Sequence, residues 1–364
     1  ICFNTCLTGI LLSNDPPLGE IETMRFLLLF SFAFWHATSV NWVVSEDNAD
    51  SLVEDESSVL RTAIEQSLAL LERASSGSAN ERKCLTCHSQ ALPVFAIAKA
   101  RRAGFEVDND NFERQISHTL KHLKGTKKSY FEGNGPGGGV DTAGYALWTL
   151  EDGDHAADEV TNYVTDWILS TQAEDGHWDC RSNRPPSEAS DFTTTYVAVR
   201  ALNRFAAEDR QAAVADSFER VSAWLGETEP RDTEDRVFRL LSFDYIDPGP
   251  AMIDAAIAEL VKSQRKDGGW SQTDEMESDA YATSIAMYGL SRFGVDQQGD
   301  SWQRGLRFLL DQRHTDGSWH VVSRSKPFQK YFESGFPHGK DQFISTTATA
   351  WATIVLLESF PRDP

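Results

Sequence analysis

The chain has 364 residues, 40% of them hydrophobic, with 55 acidic against 34 basic side chains and a formal net charge of −21. Ten Trp, 21 Phe and 8 Tyr exclude a disordered polyanion, which would be poor in aromatics. The negative charge repels phosphate backbones and anionic headgroups, and so argues against nucleic-acid binding and electrostatic membrane docking.

The first stretch reads as a leader. Met24-Arg25 is followed by an apolar run over 26–35 and by Ala37-Thr38-Ser39, the pattern of a secretory signal peptide that starts at Met24 and is cleaved after Ser39. Residues 1–39 are therefore expected to be an upstream extension and leader, 40–56 an acidic linker, and 57–360 the folded domain. The run is too short for a stable membrane anchor, which predicts a periplasmic or secreted bacterial protein without an integral anchor. A buried helix of the fold is the alternative. Cys2 and Cys6 precede the expected start, which leaves Cys84, Cys87 and Cys180, three thiols that cannot all pair internally.

The first helices are predicted at 57–73 and 91–103, on either side of Cys84-Leu-Thr-Cys87-His88. This is the spacing of a c-type haem attachment site, where two thiols form thioethers with the vinyl groups and the adjacent histidine ligates iron. Cys84, Cys87 and His88 are thus candidate haem c residues, with His88 on the metal. Export would place them where haem is attached and leave only Cys180 over. A Cys84–Cys87 disulfide, a zinc site and inert buried thiols are the alternatives. Pro93 falls in the first turn of the next helix, where its missing N–H is harmless.

Helices at 112–123 and 140–150 follow, the second with Asp141 at its start behind Gly-rich 133–139. Then a compound turn appears three times: Gln172-Ala-Glu-Asp-Gly-His-Trp178, Gln264-Arg-Lys-Asp-Gly-Gly-Trp270 and, with one inserted residue, Gln312-Arg-His-Thr-Asp-Gly-Ser-Trp319. An amphipathic helix precedes each, at 158–171, 252–263 and 302–311, and a more apolar helix follows each, at 191–202, 279–290 and 345–357. A degenerate pair, 216–225 and 237–241, lies between the first two. The Asp-Gly step supplies the positive φ that stops a helix, Gln is expected to bond the turn backbone, and Trp to cover the junction between neighbouring pairs. Six outer and six inner helices, at a period of roughly 40 to 60 residues, predict an all-α, single-domain α6/α6 toroid. An open solenoid is the alternative, though neither end reads as a polar cap.

These turns, with inner helices beginning Asp141-Thr-Ala-Gly-Tyr-Ala-Leu, Ser190-Asp-Phe-Thr-Thr-Thr and Ser278-Asp-Ala-Tyr-Ala-Thr, resemble the squalene-hopene cyclase and protein prenyltransferase repeat family over about residues 57–357. Class II terpene cyclases of that family protonate an alkene with an Asp-x-Asp-Asp motif at an inner-helix start and stabilise carbocations with aromatic side chains. No Asp-x-Asp-Asp occurs here. The resemblance instead implies the single acids Asp141, Asp191 and Asp279 as candidate catalytic groups, with helix capping as the other reading. Prenyltransferases hold zinc with Asp, Cys and His, for which His177, Asp179 and Cys180 are the nearest set, lying on the turn itself.

A long aromatic loop punctuated by Gly and Pro, 326–345, precedes the last inner helix, and such loops are usually functional. It holds His338 between Pro337 and Gly339, and makes His338, with Asp341 nearby, a candidate sixth haem ligand or active-site base. A plain surface turn is the alternative. The haem motif, the repeats and Phe336-Pro-His-Gly339 together resemble exported squalene-cyclase-like proteins of environmental bacteria. The expected function is one covalent haem c beside an apolar cavity, acting in electron transfer with a redox partner protein or in oxidation of an apolar small molecule such as an isoprenoid. A haem-free terpenoid cyclase or isomerase with an inner-helix Asp as proton donor, and a non-catalytic ligand- or protein-binding toroid, are the alternatives.

Overall fold

The computed structural model describes residues 46–85, 87–326 and 330–361, with side chains from 57 onward. The expected leader, the Met24 start and the cleavage after Ser39 lie outside the described residues. The chain divides into two units, 1–48 and 49–364, and the helix pairs belong to the second.

In chain order the helices are α1 (Glu46–Glu81), α2 (Leu92–Arg102), α3 (Asn109–Gly125), the short α4 (Lys127–Phe131), α5 (Gly139–Asp152), α6 (Glu159–Ser170), α7 (Asp191–Phe205), α8 (Gln211–Glu227), α9 (Thr233–Ser242), α10 (Pro250–Lys262), α11 (Ala280–Arg292), α12 (Asp300–Gln312) and α13 (Gln342–Ser359). Helix α2 packs on α5, α5 on α7, α7 on α9, α9 on α11, α11 on α13, and α13 back on α2. The inner ring therefore closes. Helices α1, α3, α6, α8, α10 and α12 lie outside it, and no strand occurs among the described residues beyond two isolated bridges. The second unit is the all-α α6/α6 toroid that the repeats predict, and no described helix is long and apolar enough to cross a membrane.

Two local features differ from expectation. Helix α1 begins at Glu46, inside the stretch expected to be linker. A π-turn, Cys87–Ala91, leads into α2. Pro93 has no N–H to return to Ser89, which leaves the preceding turn to widen.

Inner helices are buried on nearly all sides, as in Ala280–Leu290 of α11. Their many hydroxyls cost little there, because they bond their own helix one turn back: Thr149 to the Tyr145 carbonyl at 2.9 Å, Ser284 to Ala280 at 2.5 Å, Thr353 to Thr349 at 2.7 Å.

The repeated turn ties the layers together. Trp178, Trp270 and Trp319 are fully buried. Each indole N–H donates to a carbonyl in the last turn of its own outer helix, Ile168 at 2.8 Å, Leu260 at 2.8 Å and Leu309 at 2.7 Å. Each backbone N–H donates to a threonine on its own inner helix, Thr195, Thr283 or Thr349. The tryptophan thus locks one outer helix to one inner helix within a pair. The glutamine and glycine make the link to the next pair: Gln172 Nε2 donates to the Gly176 carbonyl at 2.7 Å and to Ser217 of α8 at 3.1 Å, and Gln264 repeats this with Gly268 and Ser301 of α12, both at 2.8 Å. Arg220 of α8 and Arg304 of α12 donate to the oxygens of those two glutamines. The third turn docks on α1, where Arg313 donates to Gln66 at 2.6 Å.

The axis of the ring is filled. Phe95, Trp148, Tyr288 and Trp351 pack with ring centroids 4.7 to 6.1 Å apart, and Tyr196 joins at 5.7 Å from Trp148. Beyond this layer, Arg200 lies over Trp148 at 4.3 Å and pairs with Glu151, while Lys99 pairs with Glu358.

Trp270→Ala is expected to cost about 3–5 kcal/mol, since it removes a large core side chain and orphans the Leu260 carbonyl. Gly268 has φ +92°, and a Cβ there would lie 2.6 Å from the Arg304 carbonyl oxygen, so Gly268→Ala should also lower stability. Urea denaturation midpoints read both, and an unchanged midpoint for Trp270→Ala would rule out the tryptophan lock.

Candidate functional site

A buried polar layer caps the aromatic axis at the N-terminal ends of the inner helices. Asp141, in the first turn of α5, is 1% exposed. Its Oδ1 accepts from the Thr194 hydroxyl of α7 at 2.5 Å and its Oδ2 from the Cys180 thiol at 3.3 Å. Burial pushes its carboxyl up to about 7 against these two hydrogen bonds, helped by the nearby Glu188 charge. Glu234, in the first turn of α9, accepts from Thr193 at 2.8 Å and from the Tyr281 hydroxyl at 2.7 Å. Burial raises its carboxyl well above the usual range as well. Tyr145 lies one turn below Asp141, and burial together with Glu234, Cys87, Asp141 and Glu188 pushes its phenol up. The layer therefore holds two carboxyls that burial shifts toward the protonated form, together with the Tyr145 and Tyr281 phenols.

Glu188 behaves in the opposite way. Burial alone would raise it, but His88 and Arg184 outweigh burial and hold it below the usual carboxylate range. His88 Nδ1 lies 3.2 Å from Glu188 Oε1, and its Nε2 lies 2.6 Å from Ser187 Oγ. Arg184 pairs with the other Glu188 oxygen.

The structure brings some of the expected residues together and separates others. Asp141, Cys87 and His88 share this layer. Asp191 lies half-buried on the rim, where Oδ1 accepts from the Cys180 N–H at 2.8 Å. Asp279 accepts from the Ala282 N–H at 3.0 Å and caps α11. His338, at φ +79°, contacts Ser318 through Nε2 at 2.8 Å and stacks on His320 at 4.6 Å. Asp341 accepts from His320 at 3.0 Å. His338 and Asp341 thus belong with His314, His320 and Asp316 around the third turn. Glu188, Glu234 and Ser187 escaped the sequence reading because they sit outside the turn motif, and Thr194, though within Ser190-Asp-Phe-Thr-Thr-Thr, carried no sign of its partner. The one available signal was the acidic Thr233-Glu-Asp235 at the head of the degenerate fourth pair.

Two cofactor possibilities meet this geometry. Neither Cys84 nor Cys87 forms a disulfide; Cys84 is exposed, whereas Cys87 is buried, and burial and Glu188 push its thiol well up. His88 engages both ring nitrogens, with Ser187 and Glu188. As folded here, the residues do not offer haem an open axial position. His177, Asp179 and Asp191 each bring one ligand atom within 4.8 Å of the others, a possible cation cluster on the rim. Cys180 turns away from them toward Asp141, so the His177, Asp179 and Cys180 set is not assembled.

No known family profile matches the chain. A 74-residue stretch is 34% identical to drimenyl diphosphate synthase of Streptomyces showdoensis, spanning 20% of this chain and 13% of that protein. Among solved structures, the type II terpene cyclase MstE of Scytonema is similar in two complexes, each covering 85% of this chain and 99% of the other. They hold its product merosterolic acid A (12% identity, TM-score 0.51) and its substrate geranylgeranyl dihydroxybenzoate (13% identity, TM-score 0.51). The fold is a terpenoid-cyclase-like toroid.

Asp141 carries a pH signature. The folded chain keeps a proton there that the unfolded chain releases near 3.8, so its stabilisation is full below that value and is lost as pH rises through about 7. Asp141→Asn keeps the acceptor for Thr194 and removes this slope. From about pH 5 to 8 the variant should lose less stability than the parent, by on the order of 3 kcal/mol. Parallel pH profiles in denaturation would show that Asp141 is ionised in the fold.

Proposed function

We propose that the chain is an acid-dependent cyclase or isomerase of isoprenoid-like substrates, with Asp141 as proton donor. The supporting observation is the buried Asp141 carboxyl, whose conjugate base has two hydrogen bonds from Thr194 and Cys180 already in place. The fold it shares with MstE, which is solved with isoprenoid substrate and product, supports the substrate class. A carboxyl raised to about 7 is a weak acid, better matched to a strained ring oxygen than to a plain alkene. A polyprenyl epoxide is therefore the favoured substrate. Asp141 gives its proton to the ring oxygen, the C–O bond opens, a neighbouring alkene attacks the carbon, and the final cation loses a proton. The product is an isomer of the substrate. Because the axis is filled, admission of substrate requires its aromatic layer to open.

Turnover of a polyprenyl epoxide, followed by mass spectrometry of extracted products, tests the reading. Asp141→Asn should lower kcat at least about a hundredfold, and kcat of the parent should fall as pH rises above about 7. An isomer formed equally well by Asp141→Asn would overturn it.

The second reading is covalent haem c on Cys84 and Cys87 with His88 as axial ligand, in an exported protein. Its support is the intact motif and two thiols free of any disulfide. It requires His88 to release Ser187. Expression with haem-maturation machinery should then yield a Soret band and a haem mass increment, both lost on Cys84→Ser with Cys87→Ser. A colourless protein of unaltered mass would end that reading.

A further inference from the structure

The residues around His88 form an arrangement that the isoprenoid reading does not use and that the haem reading would have to break. The segment Arg184–Glu188 is a tight turn closed by two backbone hydrogen bonds, Arg184 N–H to the Glu188 carbonyl at 2.8 Å and Glu188 N–H to the Arg184 carbonyl at 3.2 Å. Ser187 is carried on that turn, and its side chain reaches across to His88 at the head of the inner helix α2. The two chain segments are 99 residues apart in sequence, so this pairing is a product of the fold.

The order of contacts is chemically specific. Glu188 is buried with Arg184 on one carboxylate oxygen and His88 Nδ1 3.2 Å from the other, so it accepts from Nδ1–H of His88. That contact sets the tautomer and leaves Nε2 unprotonated. Nε2 then accepts the Ser187 hydroxyl proton at 2.6 Å. Arg184 on the second Glu188 oxygen fixes the carboxylate in place. A hydroxyl, an imidazole base and an orienting carboxylate in this sequence meet the geometric requirement for an activated nucleophile.

The geometry points to Ser187, His88 and Glu188 as a serine hydrolase centre for short-chain esters of neutral or cationic alcohols. Ser187 Oγ attacks the ester carbonyl carbon and passes its proton to His88 Nε2. The tetrahedral adduct collapses, the C–O bond to the alcohol breaks, and the alcohol leaves with the proton from His88. Water, deprotonated by His88, then attacks the acyl-serine, releasing the acid and restoring the Ser187 hydroxyl. The sum is ester plus water giving acid plus alcohol, and no other reactant is needed.

The surroundings set the substrate class. Ser187 is only 4% exposed, which favours a small acyl group. Pro186, its neighbour, walls a tight crevice with Glu234, Tyr281 and Arg324. Ala189, on the other side, opens on a hollow of about 280 Å³ lined by Arg231, Asp232, Thr273, Asp274 and Glu275. Arg231 is already paired with Asp235 at 2.9 Å, so the hollow is net acidic and suits an uncharged or positively charged leaving alcohol.

The inference is independent of the isoprenoid reading, since the substrates and the reacting residues differ. The full chain is incubated with diisopropyl fluorophosphate and digested for peptide mass mapping, and hydrolysis of p-nitrophenyl acetate, acetylthiocholine and an anionic acetate ester is followed. Expected are one phosphoryl adduct on Ser187 and faster turnover of the neutral and cationic esters than of the anionic one. Ser187→Ala and His88→Ala should each lower kcat/KM at least about 10³-fold. Glu188→Gln, which acts through His88 as a positioning change, should lower kcat with KM nearly unchanged. Absence of label on Ser187 in the parent protein overturns the proposal whether or not the variants fold, as does turnover that survives Ser187→Ala. Equal rates for cationic and anionic esters would overturn the assignment of the hollow.

Discussion

The indole N–H of the repeated tryptophan is the bond on which the ring depends. An outer helix ends with carbonyls that have no partner inside the helix, and a buried indole must find an acceptor. In each of three repeats these two deficits cancel: Trp178, Trp270 and Trp319 donate to Ile168, Leu260 and Leu309, all in the last turn of the helix that precedes them. The same residues present their backbone N–H to a threonine of the inner helix. One side chain therefore settles the distance and angle between the two layers of a pair. The glycine two positions earlier, Gly176 or Gly268, lets the turn approach the next outer helix closely enough for glutamine to bridge to it.

With the pairs locked, the inner helices bring their N-terminal ends to one face. Helix N-termini favour negative charge, which explains why carboxyls gather there, yet burial works against ionisation. The two tendencies are resolved differently residue by residue. Asp141 and Glu234 have only hydroxyl and thiol donors, and burial raises both carboxyls, whereas Glu188 has His88 and Arg184 and is held below the usual range. Neighbouring carboxyls with opposite protonation states are the usual basis for dividing acid and base tasks. The aromatic axis beneath them keeps water out and so maintains the contrast.

The fold was legible because its signals are local and repeated. A helix stop, an indole and a glutamine recur at nearly fixed spacing, and observed inner helices such as Asp191–Phe205 and Ala280–Arg292 start within a residue or so of the expected positions. The degenerate pairs were harder to read. Helix α9 runs Thr233–Ser242, longer than the apolar stretch suggested, because its first turn is polar and faces the buried layer. The site was legible only in part. Asp141 and His88 stood out by motif, but their partners Thr194, Ser187 and Glu188 come from other segments and bear no mark in sequence of where they point. Asp191 and Asp279 share the inner-helix position of Asp141 and differ in what faces them: a backbone N–H on the rim for one and its own helix end for the other.

The closing seam reverses the chemistry of the other two. In the first and second turns a glutamine of the turn receives an arginine of the next outer helix, whereas in the third Arg313 comes from the turn and Gln66 from α1. The closure of the ring therefore rests on a side-chain pair that neither of the other two seams uses, and it can be loosened at Gln66 or Arg313 while the links at Gln172 and Gln264 stay intact.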